Sequence, residues 1–172
     1  MSHDWKPFFP YPTSRVEQDI AIDFALDAFI EQDKKFVVIE AGTGVGKSAI
    51  GFTIAQYYNK HVNGTGTYYL TTQKVLQQQY MRDFQKSGMF NLQSSTNFQC
   101  KYYKQKTCAM ARRELKITKD QKFKSCCGGG CRYRKAKNDF LAGEHGVTNF
   151  SYFLAETHYA GELSDRTMMV VD

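Results

Sequence analysis

The run from Phe36 to Ser48, FVVIEAGTGVGKS, constrains this chain more than any other stretch. Phe36-Val37-Val38-Ile39 is a short apolar segment of the kind a buried parallel strand uses. It leads into Glu40-Ala41-Gly42-Thr43-Gly44-Val45-Gly46-Lys47-Ser48. Ala49 to Tyr58 then has helical spacing, with Ile50, Ile54 and Tyr57 on one face. A strand, a glycine-rich loop and a helix opening on Gly-Lys-Ser make the setting of a phosphate-binding loop. The residue types follow from that chemistry. Glycines let the backbone curl until its N–H groups point inward at phosphate oxygens. The helix N-terminus adds a partial positive charge. In such a loop Ala41, Gly42, Thr43, Gly44, Val45 and Gly46 surround the phosphates, Lys47 reaches the β- and γ-phosphates, and Ser48 ligates Mg²⁺.

The segments around this loop alternate in period. All three prolines lie in residues 1–14, beside Trp5, Phe8, Phe9 and Tyr11, so an extended aromatic arm is expected there. Thr13 or Ser14 can cap a helix over Arg15 to Gln32. Its apolar spacing is carried by Ile20, Phe24 and Ala28, with Ala21, Ala25 and Phe29 beside them. Thr67 to Thr72 reads as a second strand, and Gln73 to Phe84 as a helix with Leu76, Tyr80 and Phe84 in register. Gly88 to Phe98 reads as a connector. A helix from about Arg132 closes near Gly143 and His145, and Val147 to Phe150 is a short strand before a helical Ser151-Tyr152-Phe153-Leu154. The stretch Met168 to Asp172 is an apolar strand ending in an acid, the form of a Walker B motif, whose Asp172 holds Mg²⁺ through water. The βα alternation argues for an α/β fold with a parallel core.

Charge and cysteine are concentrated in one place. Residues 97–138 hold thirteen Lys/Arg and two acids, a local balance of +11 in a chain whose formal net charge is +6. Such a block faces a polyanion, and its aromatics suit base stacking. All five cysteines fall inside it: Cys100, Cys108, Cys126, Cys127 and Cys131. No stretch has the apolar length of a membrane span, and the start of the chain lacks the apolar region of a signal peptide. An intracellular, cytoplasmic location is therefore expected, with the thiols reduced or metal-bound. The spacings do not follow a paired CxxC zinc pattern, and the block has no histidine. Spacing alone leaves an iron–sulfur cluster, zinc and free thiols open. Only one of Cys126 and Cys127 is expected to ligate, because consecutive side chains diverge.

Taken in order, these features resemble the XPD/Rad3/DinG family of iron–sulfur superfamily 2 DNA helicases. Ala41 followed by Gly-Thr-Gly-x-Gly-Lys-Ser resembles the helicase form of the phosphate loop. Arg15-x-x-Gln18 resembles the pair that helps hold the nucleotide there, and Thr71-Thr72-Gln73 resembles helicase motif Ia. Cys131-Arg132-Tyr133, with Val147 to Leu154 further on, looks like the segment that leaves the family's cluster. The resemblance implies a RecA-like P-loop NTPase domain with an inserted, mostly helical iron–sulfur domain. It divides the chain into residues 1–96 with the P-loop, 97–138 with a [4Fe–4S] cluster held by four cysteines, and 139–172 returning to Walker B.

The implied activity is ATP-dependent unwinding with Mg²⁺ on single-stranded or forked DNA, 5′ to 3′, in replication or repair, by a monomeric enzyme. Lys47 and Asp172 are the implied catalytic positions, and Thr71, Thr72, Gln73, Tyr102, Tyr103, Arg132, Tyr133 and Asn149 the implied DNA contacts. In the family the acid strand continues as Asp-Glu-Ala-His into a DEAH box, and a second RecA-like domain brings an arginine finger. Neither follows Asp172 in this sequence, so the chain alone is expected to bind MgATP without turning it over. The competing reading is a non-catalytic nucleic-acid-binding module with a nucleotide-sensing P-loop and zinc in its cysteine block.

Overall fold

In the computed structural model, which describes residues 3–117, 127, 130–161, 163 and 165–172, ten helices and strands follow one another. They are α1 (Val16–Leu26), α2 (Lys47–Val62), β1 (Thr67–Thr71), α3 (Lys74–Phe84), β2 (Met89–Leu92), α4 (Cys108–Ile117), α5 (Arg132–Ala142), β3 (His145–Asn149), α6 (Phe150–Ala155) and β4 (Met168–Val171). The strands form a four-stranded sheet in the order β2-β3-β1-β4, flanked by helices. The α/β class and parallel sheet agree with a RecA-like helicase domain. Among the described residues no helix is long and apolar enough to cross a membrane.

The chain divides into two compact units. One comprises Met1–Tyr69 and Asp165–Asp172. Here the aromatic arm folds onto α1: Trp5 is buried, and its Nε1 donates to Asp23 Oδ1 at 2.6 Å. Lys6 Nζ reaches Ser14 Oγ at 2.7 Å and Asp19 Oδ2 at 2.8 Å. Helix α1, continued by a π-helical turn over Asp27–Glu31, packs on α2. Its buried face is Gln18, Ile22, Ala25 and Leu26. Ile20 and Phe24, which carry the apolar spacing in the sequence, are 64% and 58% exposed. The helix is apolar on two sides, and periodicity does not say which side meets a neighbour.

The strand expected over Phe36 to Ile39 has no assigned secondary structure and joins no ladder among the described residues. Phe36 and Val38 are each 89% exposed. An apolar run becomes a strand only where another strand offers its backbone partners. Past α2, Asn63 adopts a left-handed conformation and the chain reverses. The buried Asn59 secures the reversal: its Nδ2 donates to Thr67 Oγ1 at 2.7 Å, and its Oδ1 accepts from Gly66 N at 3.1 Å. β4 adjoins this reversal, with Met168 N donating to Gly66 O at 3.2 Å.

The second unit is Leu70–Ser164. β2 and β3 pair in parallel, with Met89 opposite His145 and Leu92 opposite Thr148. Thr148 Oγ1 also donates to Leu92 O at 2.7 Å. α3 and α5 cover this pair, burying Tyr80, Phe84 and Phe140 with Met89, Leu92 and Val147. β2 occupies part of the expected connector over Gly88 to Phe98. Four residues carry too little periodicity to declare a strand, and pairing with β3 makes them one. The β2–β3 ladder ties together the two ends of the cysteine-bearing segment.

Candidate nucleotide-binding site

The glycine loop is built by its left-handed residues. Gly44 and Gly46 have φ of +83° and +86°, a region costly for any side chain. Gly46 is the N-cap of α2, and its carbonyl accepts from Ala49 N and Ile50 N at 3.0 and 3.1 Å. The first amides of α2 therefore open onto the loop with the positive end of the helix behind them. Lys47 Nζ curls back over the loop, donating to Ala41 O at 3.1 Å and Gly42 O at 3.2 Å. The lysine charge thus stands at the loop mouth on carbonyls that are weaker partners than a phosphate.

Ser48 and Asp172, 124 residues apart, meet beside the loop: Ser48 Oγ donates to Asp172 Oδ2 at 3.0 Å. The approach of β4 to α2 makes this possible. A Cβ on Gly51 would lie 2.9 Å from Val170 Cγ1, so the lack of a side chain at 51 admits the strand that carries Asp172. A hydroxyl and a carboxylate facing each other are hard oxygen donors of the type Mg²⁺ takes.

Helix α1 braces the other side of the loop. Arg15 Nη1 donates to Gly44 O at 3.0 Å, and Gln18 Nε2 donates to Val45 O at 2.8 Å. Gln18 Oε1 accepts from Arg15 N at 2.9 Å, closing the N-terminus of α1. An apolar cleft of about 510 Å³ adjoins the loop, lined by Ile20, Phe24, Val38, Ala41 and Val45 among others. Ile20 and Phe24 carry the helical apolar spacing seen in the sequence. Their role as cleft walls has no signature in sequence, since a cleft wall and a core face show the same periodicity.

In the second unit a short antiparallel bridge between Gln99 and Thr107 makes a hairpin-like turn. Cys100 N donates to Lys106 O at 2.9 Å and Cys108 N to Phe98 O at 2.7 Å, so both cysteines sit at the base of this turn. Cys131 is the N-cap of α5. Burial, the Cys131 thiol hydrogen-bonded to it, and the nearby Cys100 push the Cys108 thiol up to about 11, against the pull of the Tyr133 backbone amide. Cys127 is half-buried, and Cys126 lies outside the described residues. All-sulfur donors suit an iron–sulfur cluster or zinc. Among the described residues, however, no group of three or more His, Cys, Asp or Glu closes round a metal position.

The implied DNA contacts are placed variously. Thr72, Gln73, Tyr102 and Arg132 are exposed, and Tyr103 is half-buried with Lys106 Nζ 5.8 Å from its ring centre. Thr71 is buried and donates to Gln73 O at 3.2 Å. Asn149 Nδ2 donates to Thr72 O at 3.0 Å while its Oδ1 accepts from Ser151 N at 3.0 Å, so it caps α6 and pins the end of β1. Tyr133 departs from its expected role in base stacking. It is buried, edge-on to Phe98, with its hydroxyl 2.6 Å from that of Tyr152.

A family model described as "Type III restriction enzyme, res subunit" matches residues 12–163. The match indicates a helicase-like superfamily 2 N-terminal domain. No curated protein matches the chain significantly.

Proposed function

Because the chain belongs to the type III restriction enzyme res subunit family, we propose that it binds MgATP in the Gly42–Ser48 loop and works on single-stranded DNA. The observation that carries this reading is the meeting of Ser48 and Asp172 at 3.0 Å, at the foot of the loop whose mouth holds Lys47. Lys47 exchanges the Ala41 and Gly42 carbonyls for phosphate oxygens, a charge-assisted contact that strengthens as negative charge gathers there. Ser48 turns its hydroxyl so that a lone pair, rather than the proton, faces the metal position, and Asp172 orients that position as a hydrogen-bond acceptor. Mg²⁺ bound there supplies neutralisation of charge on the phosphates.

The finer reading is an iron–sulfur helicase of the XPD/Rad3/DinG type, with the cluster on Cys100, Cys108, Cys131 and one of Cys126 and Cys127. It is supported by the interaction of the Cys108 thiol with both Cys131 and Cys100. Exposed Arg112, Arg113 and Lys116 on α4 and Arg132, Arg134 and Lys135 on α5 give the same unit a cationic surface for the DNA backbone. Translocation in this reading runs 5′ to 3′.

Substituting Lys47→Ala tests the nucleotide site. Loss of one charge-assisted contact, about 1.5–3 kcal/mol, should weaken MgATP binding roughly 10- to 150-fold in calorimetric titration. The circular dichroism spectrum should not change, because the exposed Lys47 side chain donates to the loop's own carbonyls and not to the core. Wild-type affinity in the substituted protein would remove the assignment.

A further inference from the structure

Gly51 lies inside α2 and is not among the glycines with a left-handed backbone. Conformation therefore does not call for glycine there, and alanine is the better helix former. Space does call for it. A Cβ at 51 would meet Val170 Cγ1 at 2.9 Å and Cγ2 at 3.9 Å. Valine is stiff about χ1, so the half-buried Val170 does not swing clear and the strand that carries it must shift. β4 does not shift as a whole, because its start is tied to the turn after α2. Thr65 N donates to Thr167 Oγ1 at 2.7 Å, Arg166 Nη1 to Thr67 O at 2.8 Å and Met168 N to Gly66 O at 3.2 Å. Val170 stands two residues beyond the tie at Met168 and Asp172 four, so a stiff strand about doubles at Asp172 any displacement made at Val170. Restoring a carbon–carbon separation of about 3.5 Å from 2.9 Å moves Val170 by about 0.6 Å and Asp172 by about 1 Å. That parts Asp172 Oδ2 from Ser48 Oγ, which are now 3.0 Å apart.

We infer that Gly51 and Val170 are positioning residues, whose close packing sets the approach of Asp172 to Ser48 and through it the preference of the site for metal-bound nucleotide. The inference rests on the nucleotide reading above and deepens it. Gly51 lies one turn past Ser48 and Val170 two residues before Asp172, so both stand outside the glycine loop. Metal-free nucleotide, held by Lys47 and the loop amides, is indifferent to their contact. Nucleotide carrying Mg²⁺ depends on it, because the two oxygen donors come from the two elements that meet at Gly51.

The test titrates two probes calorimetrically, ATP with excess Mg²⁺ and ATP with excess EDTA, into the chain as it stands and into three variants. Gly51→Ala should weaken MgATP about tenfold, the loss of one charge-assisted contact, and leave metal-free ATP at wild-type strength. Gly51→Ala with Val170→Ala removes the clashing branches and should return MgATP binding to near the wild-type value. Val170→Ile adds a carbon on the strand side of the same contact and should weaken MgATP selectively, so it carries the test should Gly51→Ala fold poorly. An unchanged ratio of MgATP to ATP affinity in both Gly51→Ala and Val170→Ile would overturn the inference. So would an equal loss for the two probes, which would make the contact merely structural, or a double variant that recovers nothing, which would remove the steric cause. Wild-type protein that binds neither probe would overturn the nucleotide reading itself.

Discussion

Lys137 on α5 and Glu156 beyond α6 form the most enclosed ion pair among the described residues, 2.6 Å apart with side chains 11% and 15% exposed. Beside them the Tyr133 and Tyr152 hydroxyls meet, and burial together with Tyr133 and Glu156 drives the Tyr152 phenol well above its ordinary value. This polar group continues from the Tyr133 amide that touches the Cys108 thiol, so it underpins the cysteine turn. Removing one member of a buried pair strands the other's charge, which typically costs about 3–5 kcal/mol. Lys137→Met should therefore destabilise the protein by about that much in urea unfolding, and Lys137→Met with Glu156→Leu should recover most of the loss. A double variant no more stable than the single one would mean that packing, not charge, sets the cost. None of this network shows in the sequence, where Tyr133 reads as a stacking aromatic and Lys137 as one more cation of a basic block.

Two elements bring the cysteines together: the turn closed by the Gln99–Thr107 bridge and the N-terminus of α5. On the cluster reading proposed above, Cys100 and Cys108 would come from the first and Cys131 from the second. Because ligation and folding are coupled, Cys100→Ser or Cys131→Ser should abolish iron and sulfide in anaerobically purified protein and lower the melting temperature. On the same reading Cys126→Ser or Cys127→Ser alone should have a mild effect and the double substitution a severe one, either being the proposed fourth thiolate. Full iron in Cys131→Ser would show the ligand set to be wrong, and zinc in place of iron would remove the cluster. At the same scale α1 shows where local reading stops. Its existence follows from spacing, but its N-cap is Arg15 and not Thr13 or Ser14, and tertiary packing buries Ile22, Ala25 and Leu26 and leaves Ile20 and Phe24 to the cleft.

For the molecule as a whole, the dominant electrostatic feature is a +11 segment within a chain of net +6. Binding to a single strand should release counterions, with log affinity falling against log salt at about 0.7 per phosphate contacted. Arg112→Ala with Arg113→Ala removes two exposed cations of α4 and should flatten that slope by about 1.4 in fluorescence titrations with single-stranded DNA. An unchanged slope would move the DNA path off this helix. The sequence by itself determined what depends on contiguous residues: the glycine loop, the helix it opens, the α/β alternation, the concentration of charge and the thiol content. Those features are local, set by backbone freedom at Gly44 and Gly46, by periodicity and by composition. Only the tertiary structure decided what depends on distant residues meeting. It brought Asp172 to Ser48 across 124 positions through the gap left at Gly51. It turned Met89–Leu92 into a strand by giving it His145–Thr148 as a partner, and among the described residues it gave Phe36–Ile39 none. It also covered Gln18 and Tyr133, because burial belongs to the neighbours a side chain acquires and not to the side chain itself.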